Sequence, residues 1–423
     1  NLFTVRKLIS LFTDKPFFQL LAVFFTAFYF PLNNWALLGM EVGLIALLIN
    51  LALIVVISNL QTDRFSNTPY LILGAATLVR VDAAVPLGAL MLIMLFLDRD
   101  RAKQHLQWSL GSIAIFIGGQ SLLRFLYYGA WIPTTAVLKL SGISTILRGS
   151  LGLRSFYDFV VLFNWVLFFL PFVIVPFRKE KSSRVLLMVV FFQIAYSIYV
   201  GGDSWEHIGG ANRFIATVMP LFLIAFVLSL ETLFETIKTQ FNLKALAQFS
   251  LGLGVIGFSI FSLVNFNDIK LADGLQRWTF QKKLPFVEGE ERAAQIGFAV
   301  RSVAEDDALV AVVTAGSTPY YSDLESIDLL GKNDPIVAAG PMHINSSLFH
   351  IGNFRPGHNK WDYDYSIGQL QPDILAQTWE EAEADFAPYA DLYTLYYING
   401  FPIYIRNDSG AIRWELLPEP YSK

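Results

Sequence analysis

The chain has 423 residues, of which 54% are hydrophobic and only 16% are charged, whereas a soluble domain usually carries about 25% charged residues. This composition excludes disorder and disfavours an ordinary soluble enzyme, and the absence of cysteine excludes disulfides, cysteine-type zinc sites and thiol nucleophiles. Residues 1–266 carry 19 Lys+Arg against 12 Asp+Glu, and residues 267–423 carry 12 against 23, so an apolar, basic part precedes an acidic part that would repel nucleic acid.

The sequence begins at Asn1, and residues 1–15 have the composition of a loop between helices rather than of a signal peptide. We therefore expect an N-terminally truncated sequence that lacks one or two helices. The first apolar stretch, residues 16–30, is short for a membrane span. Residues 31–34, with the sequence Pro-Leu-Asn-Asn, predict a turn directly after it.

A membrane-spanning helix needs about 20 apolar residues. Six further stretches meet this condition: 35–60, 105–128, 157–177, 183–200, 212–233 and 245–266. Residues 67–97 contain Arg80 and Asp82 near their middle, where one long span would place both charges deep in the bilayer at high cost. We therefore predict two short helices there, 67–79 and 84–97, which meet at a polar tip and bring the total to about nine spans.

Nine spans place 13 basic residues in the loops on one side of the membrane and four on the other. Because basic residues accumulate in cytoplasmic loops, we predict a multi-pass protein of the bacterial inner membrane whose residues 267–423 form an extracytoplasmic domain. A β-branched run at 308–313 predicts a buried strand, residues 290–303 predict an amphipathic helix, and Asn399-Gly400 predicts a hairpin turn. The expected architecture is thus a polytopic α-helical membrane domain, 1–266, followed by a soluble α/β domain.

This orientation collects unusual polar residues on the extracytoplasmic side. They are Trp35, Glu41, Arg80, Asp82, Arg124, Tyr127, Tyr128, Lys139, Asp203, Glu206, His207 and Arg213. Each has an ordinary interpretation as an ion pair, an interfacial anchor or a solvated side chain. Their common location favours a second interpretation, in which the cations bind phosphate and the acids bind a sugar hydroxyl or a metal ion. The spacing of Asp203, Glu206 and His207 permits a divalent-cation site, although it matches no defined metal motif.

Residues 353–361 of the acidic domain form a Gly/Pro-containing loop that carries Arg355, His358, Lys360 and Trp361. The loop is either a polar surface segment or a contact site for sugar or phosphate, because an indole offers an apolar face to a sugar ring and cations suit an anion. The sequence contains no nucleophile elbow, Walker loop, dinucleotide fingerprint or zincin helix.

Six short motifs in this order resemble those of bacterial integral-membrane glycosyltransferases of the GT-C type. The closest likeness is to the terminal arabinofuranosyltransferase family of mycobacterial cell-wall assembly. The motifs are NWALLGME (34–41), LVRVD (78–82), RFLYYGAWIPTT (124–135) followed by Lys139, GGD (201–203) followed by Arg213, IDLLGKND (327–334) and GHNK (357–360). Val81 stands where that family tends to have proline, and Ala130 where an acid is common.

The resemblance implies an inverting sugar transfer from a polyprenyl-phosphate donor to a cell-envelope glycan or glycolipid acceptor outside the cytoplasm. It also implies a catalytic aspartate in a first outer loop that this sequence lacks, so the general base is expected upstream of Asn1, with Asp203 as the catalytic candidate within the chain. Lys139, Arg213 and Arg124 are the expected donor-phosphate ligands. The residues expected to hold these ligands in position are Glu41, Arg80, Asp82 and Tyr128. The residues expected to contact substrate are His207, His358, Lys360 and Trp361. Asp203 and Glu206 would hold any divalent cation.

Two other classes remain open at this point. A lipid-linked oligosaccharide ligase or transferase would use the same cations to move a whole glycan. A lipid or solute transporter would show paired repeats and charges deep within helices, and neither is clear in this sequence.

Overall fold

The computed structural model describes residues 1–178, 180–206, 212–240 and 287–421, together with residues 250, 252–254, 256, 257, 276 and 281–283. The chain forms two compact units: residues 1–131 with 148–281, here the helical unit, and residues 132–147 with 282–423, here the sheet unit. The predicted division at 266/267 therefore misses segment 132–147, which belongs to the sheet unit. The predicted span 245–266 is outside the continuously described residues, and His207 is not described.

The helical unit consists of helices that follow the apolar stretches of the sequence. Their bounds are Leu2–Ile9, Pro16–Ala27, Phe30–Leu37, Val42–Thr62, Thr68–Val79, Ala84–Leu97, Ala102–Ser112, Gly119–Tyr128, Thr145–Phe163, Trp165–Ile174, Lys181–Tyr199, Arg213–Ala216 and Met219–Gln240. Helix Thr145–Phe163 begins in the sheet unit and continues into the helical unit.

Four of the described helices are long and apolar enough to cross a membrane: Val42–Thr62, Arg99–Tyr128, Ser182–Tyr199 and Met219–Thr239. Two bent helix pairs raise this number to six if each pair acts as one span. The helical unit is therefore compatible with a membrane protein.

The predicted helix pair around Arg80 is confirmed. Helix Thr68–Val79 ends where Arg80 adopts an extended conformation, and a single turn at Val81–Ala83 leads into helix Ala84–Leu97. The break places Arg80 and Asp82 at a tip, where their charges meet other polar groups instead of lying in the middle of an apolar helix.

Three sequence interpretations were wrong in this unit. Residues 1–15 are not a loop between helices, because Leu2–Ile9 form a helix that buries Val5, Leu8 and Ile9. Residues 31–34 do not form a turn, because Pro31 lies in the first turn of helix Phe30–Leu37, where its missing N–H costs nothing. Residues 157–177 are not one straight span, because two helices meet there at 97°. Asn164 produces this bend: its φ is +80°, and its side chain accepts a hydrogen bond from the Val166 N–H, which starts a new helix.

The loops of the helical unit lie at two ends, since a helix as long as Val42–Thr62 separates its flanks by about 30 Å. At the end that holds Asp63, ion pairs join successive loops: Lys15 with Glu231, and Arg101 with both Asp63 and Asp98. The other end holds Glu41, the tip at Arg80, and the turn that follows helix Lys181–Tyr199. This second end contains the candidate site.

The sheet unit contains a five-stranded sheet of order β2-β1-β3-β5-β4. The strands are β1 Val310–Val312, β2 Ser326–Asp328, β3 Ile374–Leu375, β4 Tyr393–Ile398 and β5 Phe401–Arg406, and its helices are Thr134–Leu140, Val287–Val303, Ser317–Ser322, Pro335–Ala339 and Glu383–Phe386. β1 pairs in parallel with β2 and β3, whereas β5 is antiparallel to β3 and β4. The predicted strand, helix and hairpin are confirmed, and Asn399 and Gly400 turn the hairpin with φ of 51° and 84°.

Candidate functional site

The tip between the two short helices carries a three-membered ion-pair group. Arg80 Nη1 lies 2.9 Å from Glu41 Oε1, and Arg80 Nη2 lies 2.8 Å from Asp82 Oδ2. Glu41 directly precedes helix Val42–Thr62, so its carboxylate is held near the helix N-terminus, where a negative charge is favourable. The structure thus brings together three residues that the sequence placed on one side of the membrane.

A second ion pair lies in the loop after helix Lys181–Tyr199. Arg213 binds the Asp203 carboxylate with two side-chain nitrogens, Nε at 2.8 Å and Nη2 at 2.6 Å, and its backbone N–H donates to the same carboxylate at 2.9 Å. Gly201 and Gly202 precede Asp203 with φ of 93° and 85°, a left-handed turn that favours glycine. The Asp203 side chain is only 1% exposed, so Arg213 brings positive charge to a carboxylate that water hardly reaches.

Aromatic side chains connect the two ion-pair groups. The Arg213 guanidinium lies 5.6 Å from the Trp35 ring centroid, and the Arg80 guanidinium lies 4.9 Å from that of Phe214. Trp205 approaches Trp35 at 6.4 Å between ring centroids. The charges of Glu41 and Asp82 act on Arg213 together with that of Asp203. We call this set, Trp35, Glu41, Arg80, Asp82, Asp203, Trp205, Arg213 and Phe214, the polar cluster.

Glu206 is close in sequence to the polar cluster, and its carboxyl group has an unusual pKa. It accepts a hydrogen bond from the Asn212 amide, while Asn212 also accepts from Ile215 N–H and so caps helix Arg213–Ala216. Burial raises the pKa of Glu206 to about 7, and the nearby charge of Asp203 acts in the same direction. Glu206 can therefore gain or lose a proton near neutral pH.

We expect this titration to appear in the stability of the protein. The ordinary pKa of 4.5 applies in the unfolded chain and about 7 in the folded one, so folding takes up a proton between these values and stability decreases as pH rises through them. Glu206→Gln should remove this dependence and raise the free energy of unfolding at pH 8 by about 1–2 kcal/mol. Melting curves of both proteins from pH 4 to 8 in detergent would measure it. Parallel pH profiles would contradict the assignment.

Arg148 and Gly152, on helix Thr145–Phe163, pack against the end of helix Lys181–Tyr199. Arg148 is 2% exposed and donates from Nε to the Tyr199 carbonyl at 2.8 Å, at the C-terminal end of helix Lys181–Tyr199. Gly152 lies so close that an added Cβ would stand 2.1 Å from the Ile198 oxygen. Helix Thr145–Phe163 therefore covers carbonyl groups at the end of helix Lys181–Tyr199, where a helix leaves its last carbonyls without partners of its own.

Arg124, a predicted phosphate ligand, and Tyr128, predicted to support the ligands, are not among the residues of the polar cluster. Arg124 is half-buried on helix Gly119–Tyr128, and Tyr128 is 75% exposed at the end of that helix, with an edge contact to Tyr127 at 4.5 Å. Phe125 and Trp131 stack nearby with ring centroids 4.4 Å apart. Exposed aromatic groups of this kind are typical of anchors in the membrane interface.

The metal hypothesis receives no support within the described part of the chain, where no group of three or more His, Asp or Glu side chains could hold a metal ion. Asp203 is engaged by Arg213, and Glu206 by Asn212. The third residue of the proposed motif, His207, is outside the described residues.

The remaining predicted contacts belong to the sheet unit. Lys139 lies on helix Thr134–Leu140, and its Cε is 3.5 Å from the position that a Cβ of Gly357 would occupy, one residue before His358. The structure therefore brings Lys139 beside the predicted loop 353–361. His358 is half-buried in that loop.

Lys360 and Trp361 are not available as surface contacts. Lys360 is 0% exposed and donates to Ser141 Oγ at 2.7 Å and to the Ala338 carbonyl at 2.6 Å. Trp361 is 5% exposed, stacks on His343 with ring centroids 4.2 Å apart, and donates to Asp385. Both side chains hold the loop in place, so their predicted role as direct substrate contacts is wrong.

Sequence reasoning missed three residues of the site region: Trp205, Asn212 and Arg148. Asn212 carried a usable signal, since asparagine directly before an apolar helix favours an N-cap. Arg148 and Trp205 carried none, because each gains its role from a contact with a chain segment distant in sequence.

Comparisons with known proteins add one match. A family model described as a domain of unknown function (DUF8728) matches residues 282–402, which is most of the sheet unit. No curated protein and no solved structure matches the chain.

Proposed function

We propose that the protein is a membrane glycosyltransferase that moves a sugar from a polyprenyl-phosphate donor to a cell-envelope glycan or glycolipid acceptor, with inversion at the anomeric carbon. The observation that carries the proposal is the polar cluster, in which carboxylates, arginines and indoles meet at one end of a bundle of apolar helices. A lipid-linked sugar presents the same combination: a polyol and an anion next to a tail that stays in the bilayer.

The chemistry of the cluster suits the sugar better than the phosphate. Its three carboxylates offset the two arginines, so the group as a whole does not attract anions strongly, whereas carboxylates and indole faces are suited to hydroxyl groups and C–H faces. Arg213 uses Nε and Nη2 on Asp203, and its Nη1 is the atom that would reach a donor phosphate. Lys139, which the resemblance also assigns to the donor phosphate, belongs to the sheet unit.

The reaction needs a base that takes the proton of the acceptor hydroxyl as the anomeric carbon is attacked. Within this chain Asp203 is the candidate for orienting the acceptor, and Arg213 holds its carboxylate in place with two hydrogen bonds. The leaving lipid phosphate gains its stabilisation from cations held in place beforehand. The proposal includes no step through a metal ion.

Incubating membranes that contain the protein with a radiolabelled polyprenyl-phosphate pentose or hexose tests the proposal. We expect label to move from the lipid to a glycan fraction. Transfer of a preassembled oligosaccharide instead would favour the ligase alternative. Movement of intact lipid across the bilayer without cleavage of the sugar–phosphate bond would favour a transporter.

The proposed location is the bacterial inner membrane, with the sheet unit on the extracytoplasmic side. The basic residues Arg6, Lys7 and Lys15 lie on or beside the helices that open the chain, and Arg101 lies at the end opposite to the polar cluster. An alkaline phosphatase fused to the C-terminus should be active, and a cytosolic fluorescent reporter at the same position should be dark. The reverse pattern would place the polar cluster in the cytoplasm and contradict the use of an exported lipid donor.

A further inference from the structure

Three exposed aromatic rings meet on the surface of the sheet unit. Tyr320 is 79% exposed, Phe298 is 56% exposed and Tyr321 is 41% exposed. The Tyr321 ring centroid lies 5.0 Å from that of Phe298 and 5.1 Å from that of Tyr320. Large apolar groups that adjoin one another at a surface usually mark a contact with a ligand or a partner, and the proposed function gives these three rings no role.

The rings stand on two closely packed helices. Helix Ser317–Ser322 lies against helix Val287–Val303 at Gly297, where an added Cβ would stand 2.7 Å from the Thr318 carbonyl oxygen. Thr318 is 0% exposed, and its hydroxyl donates to the Ala293 carbonyl at 3.0 Å. The short helix therefore turns Thr318 inward and presents its two tyrosines from a fixed base.

Two carboxylates lie beside the rings. Asp323 ends the short helix, Glu325 follows two residues later, and both side chains are exposed. Among the described residues, neither carboxylate forms an ion pair or a side-chain hydrogen bond. With Pro319, Tyr320 and Leu324 they line an open hollow of about 670 Å³, and its described lining includes no lysine, arginine or histidine.

A second hollow shares Pro319 with the first. It has a volume of about 280 Å³, lies along the edge strand β2, and takes polar groups from Asp328, Asn333 and Asp334. It reaches Val312 and Asp328, the last residues of the parallel strands β1 and β2, and ligands of open α/β sheets bind beyond such carboxyl ends. Because the two hollows share a wall, one extended ligand can contact both.

The chemistry of these groups distinguishes between classes of ligand. Carboxylates repel phosphates, nucleic acid and anionic lipid, whereas they accept hydrogen bonds from hydroxyl groups. A tyrosine offers an apolar ring face together with a polar hydroxyl at its edge. An apolar protein interface, in contrast, is depleted of charge at its core. A chain of sugar rings, with hydroxyl groups at the edges and C–H groups on the faces, matches both the rings and the carboxylates.

We propose that this surface binds an uncharged glycan chain, and we call it the tyrosine surface: Phe298, Tyr320, Tyr321, Asp323 and Glu325, with the adjoining hollow at β2. The inference rests on the proposed function for the role of that glycan, which is the polymeric acceptor. Binding itself needs no sugar transfer. A chain held by the sheet unit keeps acceptor ends at a high local concentration around the enzyme.

The test is the retardation of the full protein, in detergent, in native gels that contain arabinan or dextran, an uncharged pentose polymer and an uncharged hexose polymer. We expect at least one of them to retard the parent, and Tyr320→Ala to weaken the apparent affinity about 3- to 10-fold through the lost ring contact. Asp323→Asn should weaken it as well, because asparagine tolerates the φ of 53° at this position but lacks the carboxylate.

Tyr397→Ala is the matched control. Tyr397 is 48% exposed in the same unit, and its ring also pairs with a tyrosine, Tyr421, at 5.3 Å between centroids. This variant should bind like the parent. Tyr320→Ala and Asp323→Asn should melt at the temperature of the parent, since both side chains are exposed, so that weaker binding reports on the tyrosine surface itself.

The outcomes separate this inference from the proposed function. Equal retardation of Tyr320→Ala and the parent, or an equal loss in Tyr397→Ala, would overturn the inference, as would a parent that neither polymer retards. The transfer of labelled sugar would still decide the proposed function, and binding without transfer would leave the tyrosine surface standing alone. A parent oligomer that Tyr320→Ala dissociates in sedimentation, without glycan binding, would assign the surface to a contact between copies of the chain and overturn the inference.

Discussion

Arg213→Met should lower the free energy of unfolding by about 3–5 kcal/mol, because it leaves the Asp203 carboxylate buried without its partner. The Asp203 side chain is 1% exposed, whereas that of Arg213 is 16% exposed and also senses Glu41 and Asp82. Asp203→Asn should therefore cost less than Arg213→Met. Thermal unfolding of the purified variants in detergent would show this asymmetry as two different falls in melting temperature.

The double variant Asp203→Asn/Arg213→Met decides between a structural and a functional pair. Removing both charges together removes the uncompensated carboxylate, so most of the lost stability should return. If the pair serves only the fold, this stable double variant keeps sugar transfer. The proposed function expects the opposite: a folded protein whose transfer of labelled sugar is lost.

Arg154→Met is the matched control for this series. Arg154 also forms an arginine–carboxylate pair, with Asp158 at 3.2 Å, but both side chains are more than 40% exposed. Exposed pairs contribute about 0–1 kcal/mol, so stability and transfer should change little. A fall as large as that of Arg213→Met would show that burial is not what makes the Asp203 pair important.

The polar cluster was partly predictable because its residues are exceptional within apolar sequence. Arg80 and Asp82 interrupt a long hydrophobic stretch, and the cost of charges in a bilayer predicts a break between two helices at that point. The same reasoning placed Glu41, Asp203 and Arg213 on one side. It did not predict that Asp203 and Arg213 bind each other, because they stand ten positions apart in the sequence and that separation fixes no distance.

The bend at Asn164 and the place of segment 132–147 were not predicted, because they depend on contacts that cannot be read from the sequence. The 97° bend arises at one asparagine, Asn164, inside a run so apolar that a continuous span was the simpler expectation. Segment 132–147 looks like a connector between spans, and its place in the sheet unit follows from the burial of Lys360 against Ser141, more than 200 residues away. Lys360 was predicted at the surface because lysine is rarely buried without a partner, and Trp361 because it lies in the same Gly/Pro loop, where binding residues are common.

The burial of Lys360 leads to the second large expected effect. Lys360→Ala should lower the free energy of unfolding of the sheet unit by about 3–5 kcal/mol, since it removes a fully buried side-chain stem and the two hydrogen bonds of the ammonium group. Lys360→Met keeps most of the stem and should cost less, about 1–3 kcal/mol, for the unpaired Ser141 and Ala338 oxygens. The difference between the two variants measures the contribution of packing.

Both variants should also loosen segment 132–147, because the ammonium group of Lys360 joins Ser141 to Ala338. Limited proteolysis of the full protein in detergent should reveal faster cleavage between residues 132 and 147 in Lys360→Met than in the parent. Lys283→Met, which changes an exposed lysine paired with Glu291, should leave both cleavage and melting temperature unchanged. Equal cleavage rates in Lys360→Met and the parent would mean that other contacts hold the segment.

The buried ammonium group of Lys360 also makes the stability of the protein depend on pH, in a direction that can be stated. Burial lowers the pKa of Lys360 below its ordinary value of 10.5, so between the lowered value and 10.5 the unfolded chain binds more protons than the folded one. The stability contribution of this group therefore rises as pH increases through that window, and Lys360→Met should abolish the rise. A melting temperature that falls equally for the parent and Lys360→Met across the alkaline range would show that the buried ammonium does not govern the attachment of segment 132–147.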